Sequence, residues 1–235
     1  SDYNQAIELD PNRSPFYNNR GGIFQRLKRY EEALADFNRA IELDPRSADA
    51  YSNRGIVYWR QKQNEKALAD YKQALLLDPN HSGTYRVRGI LYNRKKWNQK
   101  ALKDFDKAIE LNPNDSSPYR NRSVVHYQLG QPDKALSDLA RAIQLNPNSA
   151  DAYYKRARIY QELQKLPDAV KDFSRAIEIA PRQASFPFER GTIYLRLKQF
   201  GKALTDFNRS LDLDPTQIRC RVNRALTYKY LGQLA

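Results

Sequence analysis

The stretch from Ala48 to Pro79, ADAYSNRGIVYWRQKQNEKALADYKQALLLDP, decides the fold. In its first half Tyr51, Gly55 and Tyr58 follow one another at steps of four and three; in its second half Ala67, Tyr71 and Ala74 do the same. Such steps place residues on one stripe of an α-helix. The stretch therefore predicts two helices. It ends on Asp78-Pro79, and proline disfavours helical geometry in the residue before it and has no amide hydrogen to donate. A helical hairpin with a defined stop is the expected unit.

The hairpin recurs along the whole chain. Proline returns at a fixed step of 34, at Pro11, Pro45, Pro79, Pro113, Pro147, Pro181 and Pro215. A fixed period of this size marks a solenoid built from one supersecondary unit. With the proline numbered as position 32, position 4 is Tyr17, Tyr51, Tyr85, Tyr119 and Tyr153. Position 8 is small (Gly21, Gly55, Gly89, Ser123, Ala157, Gly191, Ala225), and position 20 is alanine from Ala33 to Ala203. Small residues there let two backbones approach. Aromatics at position 11 (such as Phe24, Tyr58, Tyr194) and position 24 (Phe37, Tyr71, Phe105, Phe173, Phe207) fill the wedge between helices. Lys28, Lys62, Lys96 and Lys198, at position 15, are expected near the end of the first helix, where a cation complements the helix dipole.

This pattern of aromatic, small, aromatic, Ala, aromatic, Ala and Pro resembles the tetratricopeptide repeat family. The resemblance implies an all-α, right-handed superhelical solenoid of fourteen helices. It divides the chain into six complete repeats, 14–47, 48–81, 82–115, 116–149, 150–183 and 184–217. Residues 1–13 read as the second helix of a preceding repeat and 218–235 as the first helix of a following one. Neither end shows a polar capping element and the chain has no methionine, so a piece of a longer protein is expected. Two repeats deviate. Ser123, His126 and Leu139 replace the usual Gly, Tyr and Phe, and Pro187 at position 4 is expected to delay its helix.

Arginine fills position 7 in every repeat, from Arg20 to Arg224, and aspartate fills position 23, from Asp36 to Asp206. Opposite charges in lockstep predict structural salt bridges between packed helices rather than a ligand site. The lone Cys220 rules out an internal disulfide framework and tilts the compartment toward a reducing one such as the cytoplasm. No long apolar run is present, so no membrane insertion is expected within these residues. An enzyme reading fails on inventory: two histidines, His81 and His126, and no metal-ligand spacing, phosphate loop or nucleophile elbow. No catalytic residue, metal or cofactor is expected.

The net charge of +13 points to an acidic partner. The family resemblance implies that the first helices line a concave groove through positions 2, 5, 6, 9, 12 and 13. Basic residues outnumber acidic ones there by ten to four. Arg26, Arg60 and Arg94 form a ladder at position 13; Arg86, Arg120, Lys155 and Arg158 extend the basic surface. The acids are Asp49, Asp151, Glu162 and Glu189. Asn19, Asn53 and Asn121 stand at position 6, where an amide can both donate to and accept from a peptide backbone. This resembles a broken form of the asparagine ladder in the repeats of O-GlcNAc transferase. Exposed aromatics are expected at Trp59, Tyr127, Tyr154, Phe188 and Tyr230.

A carboxylate clamp of the kind found in chaperone cochaperones is matched only by Arg86, Asn121 and Lys155, with Ile90 and Asp151 out of pattern. The expected function is a protein-interaction scaffold that binds an acidic peptide or protein segment. Single-stranded RNA in the same groove, or end-to-end self-association as a spacer module, are the alternatives.

Overall fold

The computed structural model describes residues 2–232. Ser1 and residues 233–235, the outer ends of the two expected partial repeats, lie outside the described residues. The described residues form fourteen helices and no strand. They are α1 (Asp2–Leu9), α2 (Ser14–Arg26), α3 (Tyr30–Leu43), α4 (Ala48–Arg60), α5 (Asn64–Leu77), α6 (Ser82–Arg94) and α7 (Asn98–Leu111), then α8 (Ser116–Gln128), α9 (Pro132–Leu145), α10 (Ala150–Glu162), α11 (Leu166–Ile179), α12 (Ser185–Arg196), α13 (Phe200–Leu213) and α14 (Ile218–Tyr230). This is the all-α helical repeat solenoid that the 34-residue period implies. The helices gather into two compact units, one reaching to Val125 and one starting at His126.

In the first unit α2 packs on α3, α4 on α5, and α6 on α7; α3 then packs on α4 and α5 on α6. The second helix of each hairpin buries its stripe completely: Ala33, Phe37 and Ala40, then Ala67, Tyr71 and Ala74, then Ala101 and Phe105. Each buried ring lies against a glycine of the partner helix. A Cβ added at Gly89 would stand 2.8 Å from Cε1 of Phe105, closer than carbon atoms pack. The helices stop at Asp44 and Asp78, which take extended geometry before the proline. They restart on caps: Oγ of Ser47 accepts from the Ala50 amide at 3.3 Å.

In the second unit α10 packs on α11, α12 on α13, and α13 on α14. Ala157, Ala169, Phe173 and Ile193 form one cluster; Phe188, Ala203, Phe207, Leu211 and Cys220 form another. The helix α12 starts one residue later in the 34-residue register than its counterparts, at Ser185, as Pro187 predicts. Its entry turns Phe186 and Phe188 inward. Phe186 packs 5.1 Å from Tyr154 and Phe188 lies 6.3 Å from Phe207. Phe188, expected at the groove, is therefore buried.

The position-15 lysines stand near the ends of the first helices, as expected. They do not sit within the first helices but one residue past the helix cap, with left-handed backbones: Lys28 at φ 60°, Lys62 at 63°, Lys96 at 59° and Lys198 at 57°. The amide of Lys62 donates to the Trp59 carbonyl at 2.9 Å and that of Gln63 to the Tyr58 carbonyl at 2.8 Å. This is the paired bonding of a helix that ends in a left-handed residue. Glycine takes the same place at Gly130 and Gly232. A non-glycine residue there costs about 1–2 kcal/mol, and the lysines still stand at the C-terminal ends of the first helices, where a cation complements the dipole.

Candidate functional site

The arginine ladder at position 7 is structural. In five hairpins its guanidinium grips the aspartate sixteen positions on with two parallel bonds. Nε of Arg54 donates to Oδ2 of Asp70 at 2.8 Å and Nη2 to Oδ1 at 2.7 Å. Arg20–Asp36, Arg88–Asp104, Arg156–Asp172 and Arg190–Asp206 repeat the geometry. The sequence did not reveal that the third nitrogen reaches backward. Nη1 of Arg54 donates to Asn38, that of Arg20 to Asn4, that of Arg190 to Ser174 and that of Arg224 to Asn208. Each target stands sixteen positions before its arginine. One arginine thus ties three helices. Its face also covers tyrosine rings: Arg54 lies 5.3 Å from Tyr51 and 5.8 Å from Tyr58. These cations are spent within the fold.

The remaining basic residues of the first helices separate the two units. On the face of α2, α4 and α6 in the first unit, Arg26, Arg60 and Arg94 are exposed. No carboxylate among the described residues pairs with them. Instead Arg60 and Arg94 flank one ring: their guanidinium carbons lie 5.2 and 5.1 Å from the centre of Trp59. Trp59 is half-buried and packs against the Ala67, Tyr71, Val87 and Leu91 cluster, which fixes the ring. Asn19 is exposed on α2. Asn53 donates from Nδ2 to Oδ1 of Asn18 at 3.0 Å, which leaves its own carbonyl as an acceptor. Arg86 has a distant counter-ion, Asp115 at 3.8 Å. Arg120 and Asn121 are half-buried on α8.

In the second unit the corresponding bases are held by neighbours. Nζ of Lys155 donates to Asp151 at 2.5 Å, so the acid that broke the clamp pattern neutralises the cation meant for the ligand. Nη1 of Arg158 donates to the Tyr154 hydroxyl at 3.3 Å and lies 3.6 Å from Glu189. Burial pushes the Glu189 carboxyl above its usual range, although the Arg158 and Arg219 charges oppose this. Tyr154 is half-buried, with its ring 5.8 Å from Phe173. Tyr127 is exposed. In the first unit Trp97 lies past the end of α6, with Tyr92 at 5.7 Å and Lys100 over its ring at 4.8 Å.

No group of histidine, cysteine and carboxylate side chains among the described residues could hold a metal ion. Cys220 is buried, and burial raises its thiol pKa, away from the thiolate a nucleophile needs. His126 bonds Gln131 through Nδ1 at 2.9 Å. No helix among the described residues is long and apolar enough to cross a membrane.

His81 joins two hairpins of the first unit. In the neutral ring Nδ1 accepts the Thr84 amide at 3.2 Å, capping α6; in the protonated ring Nδ1 instead donates to Oγ1 of Thr84 at 2.6 Å, and in both Nε2 lies 2.9 Å from Oδ1 of Asp49 on α4. The hydrogen bond to Asp49 raises the imidazole pKa, and the same bond lowers that of Asp49. A raised histidine pKa gives stability that is fully present below the unfolded value, about 6.5, and lost as pH rises through the folded value. The lowered Asp49 pKa gives stability that is present above about 3.9 and lost as pH falls. The pair therefore stabilises most between about pH 4 and 6.5. The Tm gap between wild type and His81→Gln should shrink when pH is raised from about 5.5 to 8.5; a constant gap would show that the pair carries no linkage.

The hairpin geometry agrees with direct sequence matches. Models described as "Tetratricopeptide repeat" match residues 48–81 and 150–183, 92–153, 2–35 and 188–217, and one described as "TPR repeat" matches 23–62. The chain belongs to the tetratricopeptide repeat family. Among solved structures, this tetratricopeptide repeat chain is similar to a chain of the APC/C hetero-tetramer Cut9–Hcn1, with TM-score 0.83 and 16% identity. The match covers 96% of this chain but 45% of that one, so this chain spans less than half of that protein's length. It is also similar to pilF of Pseudomonas aeruginosa, with TM-score 0.80, 18% identity and coverage of 96% of this chain and 100% of that one. PilW, a type IV pilus biogenesis factor, gives TM-score 0.80 at 22% identity over 89% of this chain and 97% of its own. At these identities the likeness is one of fold. No curated protein matches in sequence. Tetratricopeptide repeats are in general protein-interaction scaffolds, and that general role holds here.

Proposed function

We propose that the first unit binds an acidic segment of a partner protein along the face of α2, α4 and α6. The observation that carries this reading is Trp59 flanked by Arg60 and Arg94, with neither guanidinium paired to a carboxylate of the described residues. An aromatic ring within about 5 Å of two cations that no carboxylate pairs offers apolar area and charge at one point, the composition of an interface hot spot. Arg26 continues the charge, and Asn19 and Asn53 add amide groups for a peptide backbone. Asp or Glu side chains fit guanidinium groups as two-point acceptors. The second unit supports less, because Lys155 and Arg158 already face Asp151 and Glu189.

The test is capture from lysate before and after nuclease, comparing wild type with Arg60→Glu/Arg94→Glu and with Lys155→Glu. A bound protein that survives nuclease is expected to be lost at least tenfold with the arginine pair, about 1.4 kcal/mol, and kept with Lys155→Glu. Binding that disappears with nuclease would move the face to single-stranded RNA, for which Trp59 would be a stacking platform. A protein partner indifferent to both arginines would overturn the assignment of this face.

A further inference from the structure

We propose that the cleft formed by α6 and α7 binds a small phosphate monoester. The site is independent of the face assigned to an acidic segment. It is built from positions 4, 7 and 11 of α6, which carry Tyr85, Arg88 and Tyr92, and from α7. The arginine ladder has a gap at Arg88. Its Nε and Nη2 hold both oxygens of Asp104, each at 2.8 Å. Its Nη1 has no acceptor among the described residues. The corresponding nitrogen donates to Asn38 from Arg54 and to Ser174 from Arg190, but Lys72 stands sixteen positions before Arg88 and has no acceptor to offer. The charge of Arg88 is therefore neutralised while the N–H groups of Nη1 are left over. The Arg88 side chain is 19% exposed, so water reaches these donors only in part.

Arg88 lines a cavity of about 840 Å³ together with Tyr85 and Tyr92, whose rings centre 5.5 and 5.6 Å from its guanidinium carbon. The helix α7 adds Lys100 and Lys103 to the lining. They stand three residues apart and so share a face of the helix. Nζ of Lys100 lies 5.9 Å from the Tyr92 ring, beside the same aromatic wall as Arg88. The carboxylates of the lining are taken. Asp104 is held by Arg88, Asp106 by Arg122 at 2.6 Å, and Glu110 by Lys107 at 2.5 Å. Lys100 and Lys103 are exposed, and neither pairs with a carboxylate of the described residues. The cavity therefore presents two ammonium charges and the Nη1 donors, with no anion of the described residues to meet them.

Two full charges match the dianion of a phosphate monoester better than a single carboxylate, and its outer oxygens are strong acceptors for three donor groups. The volume is that of a pocket for a small organic ligand, more than a bare phosphate fills, and the two tyrosine rings give such a ligand apolar walls. The hairpin of α10 and α11 has the same gap but a poorer site. Ala140 stands sixteen positions before Arg156. The cavity beside Arg156 is smaller, about 490 Å³, and of its other cations Arg175 is held by Glu178 at 2.8 Å, which leaves Lys171 alone.

The experiment is calorimetric titration at about pH 8, where a phosphate monoester is a dianion because its second pKa is about 6. The probes are phenyl phosphate, inorganic phosphate and benzenesulfonate, a monoanion of similar shape. Phenyl phosphate is expected to bind at least tenfold more tightly than either of the others, about 1.4 kcal/mol. Lys103→Glu should weaken phenyl phosphate binding at least tenfold with unchanged helical content, because Lys103 is exposed and holds no partner in the fold. Lys72→Asn supplies the acceptor that Asn38 gives to Arg54. Its Tm should exceed that of Lys72→Ala, and its affinity for phenyl phosphate should be about tenfold lower, since fold and ligand then compete for Nη1. A stabilised variant that loses its ligand separates the site from a folding defect. No binding of phenyl phosphate through the millimolar range, an affinity indifferent to Lys103→Glu, or equal affinities of the two Lys72 variants each overturns the proposal. Inorganic phosphate or benzenesulfonate binding as tightly as phenyl phosphate overturns the assignment of the ligand as a phosphate monoester, and tighter binding of a phosphoserine peptide overturns a small ester as the occupant.

Discussion

Asp206→Ala is expected to cost the second unit about 3 kcal/mol, at the lower end of the range for breaking a buried ion pair. The Asp206 side chain is 2% exposed and that of Arg190 is 20% exposed. Alanine removes both acceptors of the fork and leaves a guanidinium that water reaches only in part. The hydrogen bond and charge of Asp206 raise the Arg190 pKa, and an arginine without that partner still keeps its proton. Arg190 would keep Ser174 at 2.9 Å and the Tyr194 ring at 5.7 Å, which is why the loss stays below the upper end of the range. Arg190→Met in the same chain should recover most of it, because two apolar side chains leave no unpaired charge. Urea unfolding of the four proteins gives the coupling energy. A single-variant cost below about 1 kcal/mol would place the clasp with ordinary surface pairs. Hydrogen exchange should show the weakening concentrated in α12 and α13, since repeats depend chiefly on their neighbours.

Gly55→Leu is the second large effect, about 3 kcal/mol or more of destabilisation of the first unit. A Cβ at Gly55 would lie 2.7 Å from Cε1 and 2.9 Å from Cδ1 of Tyr71, and 3.3 Å from the Ala67 carbonyl oxygen. Tyr71 is fully buried, so its ring cannot move aside without opening the cluster that also fixes Trp59. Leucine adds three carbons beyond that clash. Alanine is a milder case. Ala157 occupies the same register against Phe173, which shows that the hairpin can open enough for one methyl group. Gly55→Ala brings the same Cβ clash and should destabilise, but by less than Gly55→Leu, partly offset by alanine's better helix propensity. The decisive comparison is the Tm of the two variants: equal values would mean that close backbone approach at Gly55 does not limit the hairpin. Leucine here should also weaken ligand binding through displacement of Trp59, with no surface charge altered.

The stripe of Tyr51, Gly55 and Tyr58 and that of Ala67, Tyr71 and Ala74 were legible because helix periodicity is a local property. The same holds for the stops at Asp78-Pro79 and its counterparts, and for the late start caused by Pro187. The arginine–aspartate pairing was legible as a correlation between the ladder that starts at Arg20 and the one that starts at Asp36. Its geometry was not, because Asn38 and Ser174 as third partners follow from how one hairpin is set against the previous one. The backbone conformation of the position-15 lysines was not legible, for a related reason. In sequence a lysine two residues past a helix shows its fit to the dipole, whereas the left-handed φ of 63° at Lys62 is fixed by the chain having to turn into α5.

The candidate site was only half legible. Composition and register placed ten basic residues on the first helices, and the family resemblance turned that list into a surface. Which of them hold free charge depends on neighbours brought close in space. Arg158 meets Glu189 from the next repeat, while Arg60 and Arg94, one period apart, meet over Trp59. Phe188 turned inward with the shifted start of α12. Side-chain size and helix propensity act within a single repeat, and they suffice to set the hairpin, its period and its family. The availability of each cation is settled in three dimensions, because a charge is spent or spared by what packs against it.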